Sequence, residues 1–220
     1  MTLGIGENLC KSFEFAKDGL VGHWVRWILL IIISAIPIVS FISSGYVVKI
    51  YKGGNVTPEL EGYLGMFIDG LKLTIIGLIY TIIPIIILQA GEFFGEEELS
   101  TTVVALILVG VILTLVAGLF VLIAGVRFAK TGSMKEAFNF SAILETIQGI
   151  GWKHYILSYI AIIIVLGLIA GVLSGLAVML LVSEGTFSVI GWVLLLVFLI
   201  LMPLFLIWQG KFYENLYSLA

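Results

Sequence analysis

The chain has 220 residues and a formal net charge of −3, and 61% of its residues are hydrophobic whereas only 11% are charged. Soluble globular domains carry roughly 25% charged residues, so the composition excludes an ordinary soluble domain. It also offers no basic surface of the size that nucleic acids require. Cys10 is the only cysteine, which excludes an internal disulfide and a cysteine-rich metal site. We therefore expect an all-α integral membrane protein that forms one domain over residues 1–220.

Residues 1–23 differ in character from the rest of the chain. Charged residues such as Glu7 and Lys11 are mixed there with apolar residues such as Leu9 and Phe13. The continuous apolar core of a signal peptide is missing. The pattern predicts a partly amphipathic helix that lies at the membrane interface.

Five long apolar segments follow, and Trp24, Trp152 and Trp208 lie at their ends, where the amphipathic indole ring favours the headgroup level. About 20 apolar residues are enough for a helix to cross the hydrocarbon core. We expect a helical bundle of four full spans plus a first segment that is broken in its middle. The segments are residues 24–48, 71–90, 102–124, 155–182 and 190–208.

The first segment presents a conflict of charge. Lys17 lies before it, Arg26 lies at its start, and Lys49 and Lys52 follow it. Basic residues favour the cytoplasmic side. A re-entrant hairpin that turns at Pro37 would place both groups on that side, because proline interrupts a helix. The turn of such a hairpin must be covered by protein. A fifth full span with an outside N-terminus is the alternative.

Basic residues also predict the orientation of the other segments. The loops 91–101 and 183–189 contain no Lys or Arg, whereas the loops 49–70 and 125–154 contain several. We expect the first two loops to face outward and both termini to face the cytoplasm, in the cell membrane. The charges predicted at the cytoplasmic edge are Lys49, Lys52, Asp69, Lys72, Arg127 and Lys130.

Both cytoplasmic loops contain helix-start patterns. Thr57-Pro58-Glu59 combines a capping hydroxyl with a proline at the first helical position. Ser133 and Glu136 have the spacing of a capping box. The patterns predict two short surface helices. A similarity between residues 48–54 and 126–132 is open to two interpretations, a parallel internal repeat or the basic edges that any two cytoplasmic loops share.

Small residues recur at helical spacing in two segments. Two overlapping GxxxG motifs occupy the fourth segment. On the third segment small residues repeat every seventh position, as Gly110, Ala117 and Ala124 and as Gly118 and Gly125. Small residues allow helix backbones to approach closely in lipid. Packing inside the bundle, a face between copies of the chain, and a close approach to a ligand are all compatible with the pattern. The predicted packing positions are Gly167, Gly171, Gly175, Gly110, Gly118 and Gly125, and the predicted helix breaks are Pro37 and Pro84.

Residues suited to catalysis or ion coupling are scarce within the spans. Thr114 is the only polar side chain over residues 103–125, and Ser174 is the only one over residues 160–182. Proton relays need titratable side chains at depth, so coupling to a proton gradient is disfavoured. His23 and His154 lie at membrane edges without a second ligand nearby in sequence. A glutamate cluster in the loop 91–101 is either a solvated loop or a cation site, and comprises Glu92, Glu96, Glu97 and Glu98.

The features that carry a family resemblance are the central Pro37, Gly45-Tyr46, Lys49, Lys52, Thr57-Pro58-Glu59, residues 67–72, Ile79-Tyr80, Pro84, Arg127-Phe128-Ala129, Gly132, Ala137-Phe138 and Ile143-Leu144. With these features the chain, above all the stretch from residue 27 to residue 88, resembles an uncharacterised archaeal and bacterial membrane protein family, domain of unknown function 4013. The resemblance extends from about Phe13 to the fourth segment. It implies a multi-span membrane protein and no assigned activity, so it supplies no catalytic residues.

From these observations we expect a non-enzymatic scaffold or accessory subunit that acts by helix packing and by contacts with lipid or protein. Its expected partners are membrane lipids and either a second copy or another membrane protein, without nucleic acid, metal or cofactor. A passive channel or facilitator for a small solute or ion is the alternative. A lipid-modifying enzyme is weaker, because the sequence offers no acid, base or nucleophile for it.

Overall fold

A computed structural model describes residues 3–94, 100–183 and 189–220. All regular structure in these ranges is helical. The helices are α1 (Ile5–Leu20), α2 (Trp24–Ala35), α3 (Phe41–Tyr51), α4 (Tyr63–Phe94), α5 (Thr101–Thr131), a 3-10 turn (Met134–Phe138), α6 (Phe140–Ile150), α7 (Trp152–Ser183) and α8 (Val189–Tyr217).

Four of the helices in the described ranges, α4, α5, α7 and α8, are long and apolar enough to cross a membrane. The shortest, α8, has 29 residues, about 43 Å at 1.5 Å per residue, against a hydrocarbon core of roughly 30 Å. Their outer surfaces are apolar: Leu168 is 63% exposed and Met179 is 66% exposed. Such surfaces are stable in lipid and unstable in water, which confirms the predicted helical membrane bundle.

Among the side chains that the structure describes, the charged ones gather at one end of the bundle, which we call the charged end. It holds the six edge charges predicted from sequence, because α3, α5 and α8 finish there and α4 and α7 start there. The main core also lies at this end, where the side chains of Ile123, Val126, Ile143 and Phe212 are buried together. Both chain termini belong to it, since α1 packs against the last turns of α8.

Helices α3 and α4 approach each other at two glycines. A Cβ atom on Gly45 would overlap the backbone of Met66, and one on Gly70 would overlap the backbone of Phe41 and Gly45 itself. Only hydrogen fits at both positions. This contact fixes the short α3 against the start of the first long helix.

Residues 24–48 form two short helices rather than one span. Helix α2 ends at Ala35 and α3 begins at Phe41, which confirms the predicted break at Pro37. Arg26 in the first turn of α2 donates to the hydroxyl of Thr57, six residues beyond α3, at 2.7 Å. The chain therefore returns to the end from which it entered, as in a hairpin.

The predicted helix break at Pro84 is wrong. Helix α4 is continuous from Tyr63 to Phe94 with Pro84 buried inside it. A proline removes one backbone donor, but in an apolar environment ending the helix would expose several more unpaired groups. Packing against neighbouring helices therefore keeps α4 intact, whereas Pro37 lies where the chain must reverse.

The first of the two predicted surface helices is absent, and the second is present. Thr57 starts no helix, because its hydroxyl accepts from Arg26 and α4 begins only at Tyr63. In the second loop a 3-10 turn and α6 are present, but the capping box is not: Glu136 pairs with Arg127 at 2.5 Å, and Asn139 caps α6. The two loops of the suggested repeat therefore fold differently.

The glycine positions fall into two groups. Gly110 lies against Leu88, Gly118 lies against the hydroxyl of Tyr159, and Gly125 lies near Leu73 and Tyr51. A Cβ atom on the other three would meet no atom within 4 Å, so packing within one chain is not their role. Contact with a second copy or another protein stays a prediction for Gly167, Gly171 and Gly175.

Candidate functional site

A buried ion-pair network lies at the charged end. Glu214 Oε2 accepts from Lys211 Nζ at 2.7 Å. Its Oε1 accepts from Lys130 Nζ at 3.3 Å and from the hydroxyl of Ser218 at 3.0 Å. Lys211 and Glu214 are only 9% and 6% exposed. One carboxylate thus balances two ammonium groups, and removing it would leave both without their partner.

The same network holds four parts of the chain together. Lys211 on α8 donates to the carbonyl of Gly54, in the loop after α3, at 2.9 Å. Its ammonium also lies 5.1 Å from the ring centre of Phe15 on α1, and Lys130 belongs to α5. The network therefore links α1, α5, α8 and the loop that closes the hairpin.

Sequence reasoning missed Lys211 and Glu214. The available signal was an opposite-charge pair three residues apart in the last turns of an otherwise apolar helix. The edge charges that were predicted are less buried: Asp69 lies 3.6 Å from Lys52 and 3.8 Å from Lys72, with its side chain one-third exposed. Exposed pairs of this kind contribute roughly 0–1 kcal/mol. Lys49 instead donates to backbone carbonyls of the 52–62 loop.

A cleft runs along α8 just above the network. We use this name for two neighbouring cavities, of about 300 and 250 Å³, whose linings share Tyr51 and Gln209. The first lies among α2, α3, α7 and α8, and the second lies among α3, α4, α5, α7 and α8. The first is lined by Ser34, Val47, Tyr51, Ala170, Phe198, Met202, Phe205, Leu206, Gln209 and Gly210, and the second by Tyr51, Leu73, Gly118, Val121, Leu122, Gly125, Tyr159, Gln209 and Tyr213.

The polar groups of the cleft are uncharged. Apart from Ser34, whose hydroxyl already pairs with that of Ser43 at 2.8 Å, they converge at its lower part, towards the charged end. Gln209 Nε2 donates to the hydroxyl of Tyr213 at 2.9 Å. Tyr51 and Tyr159 line the same cavity. An apolar cavity with a few convergent polar groups is the usual form of a small-molecule site, so this cleft is the main candidate site of the molecule.

A third cavity, of about 250 Å³, lies where α1 meets α2. Arg26 lines this cavity. Its guanidinium group already donates to the carbonyl of Gly19 at 3.0 Å and to the hydroxyl of Thr57 at 2.7 Å. Arg26 therefore serves as a brace between α1, α2 and the 52–62 loop.

Metal-binding groups are not brought together in the part of the chain that the structure describes, where no cluster of three His, Cys, Asp or Glu residues suits an ion. The four side chains of the glutamate cluster, predicted as either a solvated loop or a cation site, lie outside the side chains that the structure describes. Glu96, Glu97 and Glu98 lie outside the described residues, as does the side chain of Glu92.

These features define a multi-pass α-helical membrane protein in which the buried charged pair of the described residues, Lys211 and Glu214, lies at one end. The chain belongs to the family described as protein of unknown function (DUF4013), whose model matches residues 28–182. No curated protein and no solved structure matches it. The matched range runs from α2 to α7, so Gln209, Lys211 and Glu214 follow it.

Proposed function

We propose that this protein is a non-enzymatic scaffold or accessory subunit of the cell membrane that acts through contacts with lipid and protein. The observation that supports this function is the hairpin of α2 and α3, closed by the Arg26–Thr57 hydrogen bond. The two helices have 12 and 11 residues, about 18 and 16 Å at 1.5 Å per residue. Each length is about half of a roughly 30 Å hydrocarbon core, so the hairpin lodges in one leaflet.

The hairpin presents apolar side chains outward. Val25 is 73% exposed and Ile38 is 71% exposed, and in lipid such residues contribute favourable contacts rather than a penalty. Helix α1 meets α2 at 101° and therefore lies across the entry of the hairpin. Together, α1 to α3 form an arm that inserts into the leaflet at the charged end, which positive residues assign to the cytoplasmic side.

The arm is attached firmly to the spanning bundle. Trp27 Nε1 donates to the carbonyl of Ile200 at 2.7 Å, and Trp208 Nε1 donates to the carbonyl of Leu9 at 3.0 Å. Asn8 adds a bond to the carbonyl of Phe212 at 3.1 Å. Three hydrogen bonds therefore tie the arm to α8.

Cysteine labelling tests the arm. In a Cys10→Ser background we expect Gly6→Cys and Asn55→Cys to resist an impermeant maleimide in intact cells and to react after permeabilisation, because both exposed positions lie at the charged end. Thr101→Cys, at the opposite end, should react in intact cells and serves as the control. Reaction at only one of the two positions Gly6 and Asn55 would show that residues 24–48 cross the membrane fully.

The cleft favours one second candidate, a passive facilitator. Liposomes with an internal pH dye and an imposed gradient separate the two functions. For a scaffold we expect proton and small-ion movement equal to that of empty liposomes, and no effect of Asp69→Asn, because Asp69 pairs with lysines at the charged end. Movement above that of empty liposomes that Gly125→Leu abolishes would instead establish a path through the cleft.

A further inference from the structure

We propose that the cleft binds one uncharged, hydroxyl-bearing lipid with a single chain, such as a long-chain alcohol or a monoacylglycerol. Its hydroxyl end would lie between Tyr51, Gln209 and Tyr213, and its chain would extend towards Phe198. This inference goes beyond the scaffold function. It uses cleft residues of α5, α8 and the end of α3, and it does not depend on how deeply the hairpin enters the membrane.

The polarity of the cleft changes along α8 in the way that such a lipid requires. Phe198, Met202 and Phe205 line the upper part, and Gln209 and Tyr213 line the lower part. These residues recur at helical spacing and cover about 22 Å from the first to the last at 1.5 Å per residue. The lower part is nearest the charged end, where the headgroups of that leaflet lie. A bound lipid would therefore keep the orientation that it has in the bilayer.

Tyr51 points to a ligand rather than to simple packing. Its side chain is only 8% exposed, and it lines both cavities. Among the contacts of the described residues, its hydroxyl has no hydrogen bond to the protein, and neither has that of Tyr159. Buried phenol groups usually find a partner, so a ligand hydroxyl within the cleft would satisfy Tyr51. Tyr159 is only partly buried and lines the same cavity.

The uncharged lining of the cleft favours an uncharged headgroup. None of the residues that line either cavity is charged. The nearby ammonium groups of Lys130 and Lys211 are already paired with Glu214. A phosphate or carboxylate placed in the cleft would lose its hydration without gaining a cation, which is costly. A neutral hydroxyl loses far less hydration free energy than an anion does. It regains hydrogen bonds from the amide of Gln209 and from the phenol groups of Tyr51 and Tyr213.

Glycines keep the cleft open. Both Gly118 and Gly125 line the second cavity. A Cβ atom on Gly125 would lie 3.1 Å from Leu73 Cδ1 and 3.3 Å from Tyr51 Cε2. Any larger side chain at this position would occupy the space assigned to the lipid. This gives the predicted glycine pattern of α5 a role as a ligand cradle.

Photolabelling of the purified full chain tests the inference. The probe is a diazirine-bearing analogue of hexadecanol in detergent micelles, and labelled peptides are mapped by mass spectrometry. We expect labelling at the cleft residues of α5 and α8, displaced by unlabelled hexadecanol and by monoacylglycerol but not by palmitate or lysophosphatidate. Tyr51→Phe should weaken binding roughly fivefold, the effect of one hydrogen bond.

Gly125→Leu should abolish labelling, while Gly77→Leu, on a helix face where a Cβ meets nothing within 4 Å, should leave it unchanged. Equal labelling of Gly125→Leu and wild type would overturn the inference, as would displacement by palmitate as effective as by hexadecanol. Labelling confined to lipid-facing residues would also overturn the inference.

If Gly125→Leu fails to fold, the variants Tyr51→Phe and Gln209→Leu decide. Unchanged affinity for the probe in both variants would count against the site. None of these results depends on whether the hairpin lies in one leaflet, so failure here leaves the scaffold proposal to its own labelling test.

Discussion

Replacing Gly70 with alanine is expected to destabilise the protein strongly, although alanine is the best helix former. A Cβ atom at this position in α4 would overlap the carbonyl oxygen of Phe41 and the backbone nitrogen of Gly45. Backbone atoms cannot move aside as a flexible side chain can, so α3 would have to separate from α4. Overpacking against side chains costs roughly 1–3 kcal/mol, and we expect at least the upper part of that range here. Thermal unfolding in detergent measures the effect.

The same helix supplies a matched control. A Cβ atom on Gly77 would meet nothing within 4 Å, so Gly77→Ala changes only helix propensity, which favours alanine by roughly 1 kcal/mol. We expect this variant to be as stable as wild type or slightly more stable. Equal melting temperatures for Gly70→Ala and Gly77→Ala would show that the close approach of α3 and α4 is not a feature of the folded protein.

Removal of the Glu214 carboxylate is the second large expected effect. Glu214→Ala leaves the ammonium groups of Lys211 and Lys130 without their shared partner, and Lys211 is only 9% exposed. Breaking a buried ion pair by removing one partner costs roughly 3–5 kcal/mol. We expect a corresponding loss of stability. We also expect easier proteolysis of α1, because Lys211 contacts Phe15 on α1 and the carbonyl of Gly54 in the 52–62 loop.

Two further variants make the measurement specific. Glu145 lies at the same end of the bundle and is exposed, so Glu145→Gln should change stability little. Replacing both members of the pair, as in Lys211→Met with Glu214→Leu, should recover much of the lost stability, since an apolar pair of similar volume carries no desolvation cost. A single Glu214→Ala variant as stable as Glu145→Gln would mean that the network contributes nothing.

The sequence by itself determined the class of structure and the positions of its long helices. Lipid offers no hydrogen-bond partners, so an apolar run of about 20 residues must satisfy its backbone internally as a helix. Residues 102–124 and 190–208 accordingly lie within α5 and α8. Pro37 marks a true helix end, since the chain reverses there. The grouping of Lys49, Arg127 and their neighbours at one end also followed from the sequence.

The tertiary structure alone decided where the polar groups meet. Tyr51, Gly125 and Gln209 come from three different helices, and nothing in their local sequence shows that they share a cleft. Whether Pro84 ends a helix or stays within it depends on the helices that pack around it, and whether Thr57 caps a helix depends on Arg26, 31 residues earlier.

The tertiary structure also decided which charged side chains are buried. The side chains of Lys211 and Glu214 lie in the last turns of α8, where sequence alone predicts exposure to water. They are buried because α1 and the 52–62 loop cover them, and the charge of each is tolerated because the other lies 2.7 Å away. Local pattern fixes which backbone groups must pair within a helix. The surroundings of a side chain depend on segments that can lie more than 200 residues away in the chain, as with Asn8 and Phe212, which are 204 residues apart.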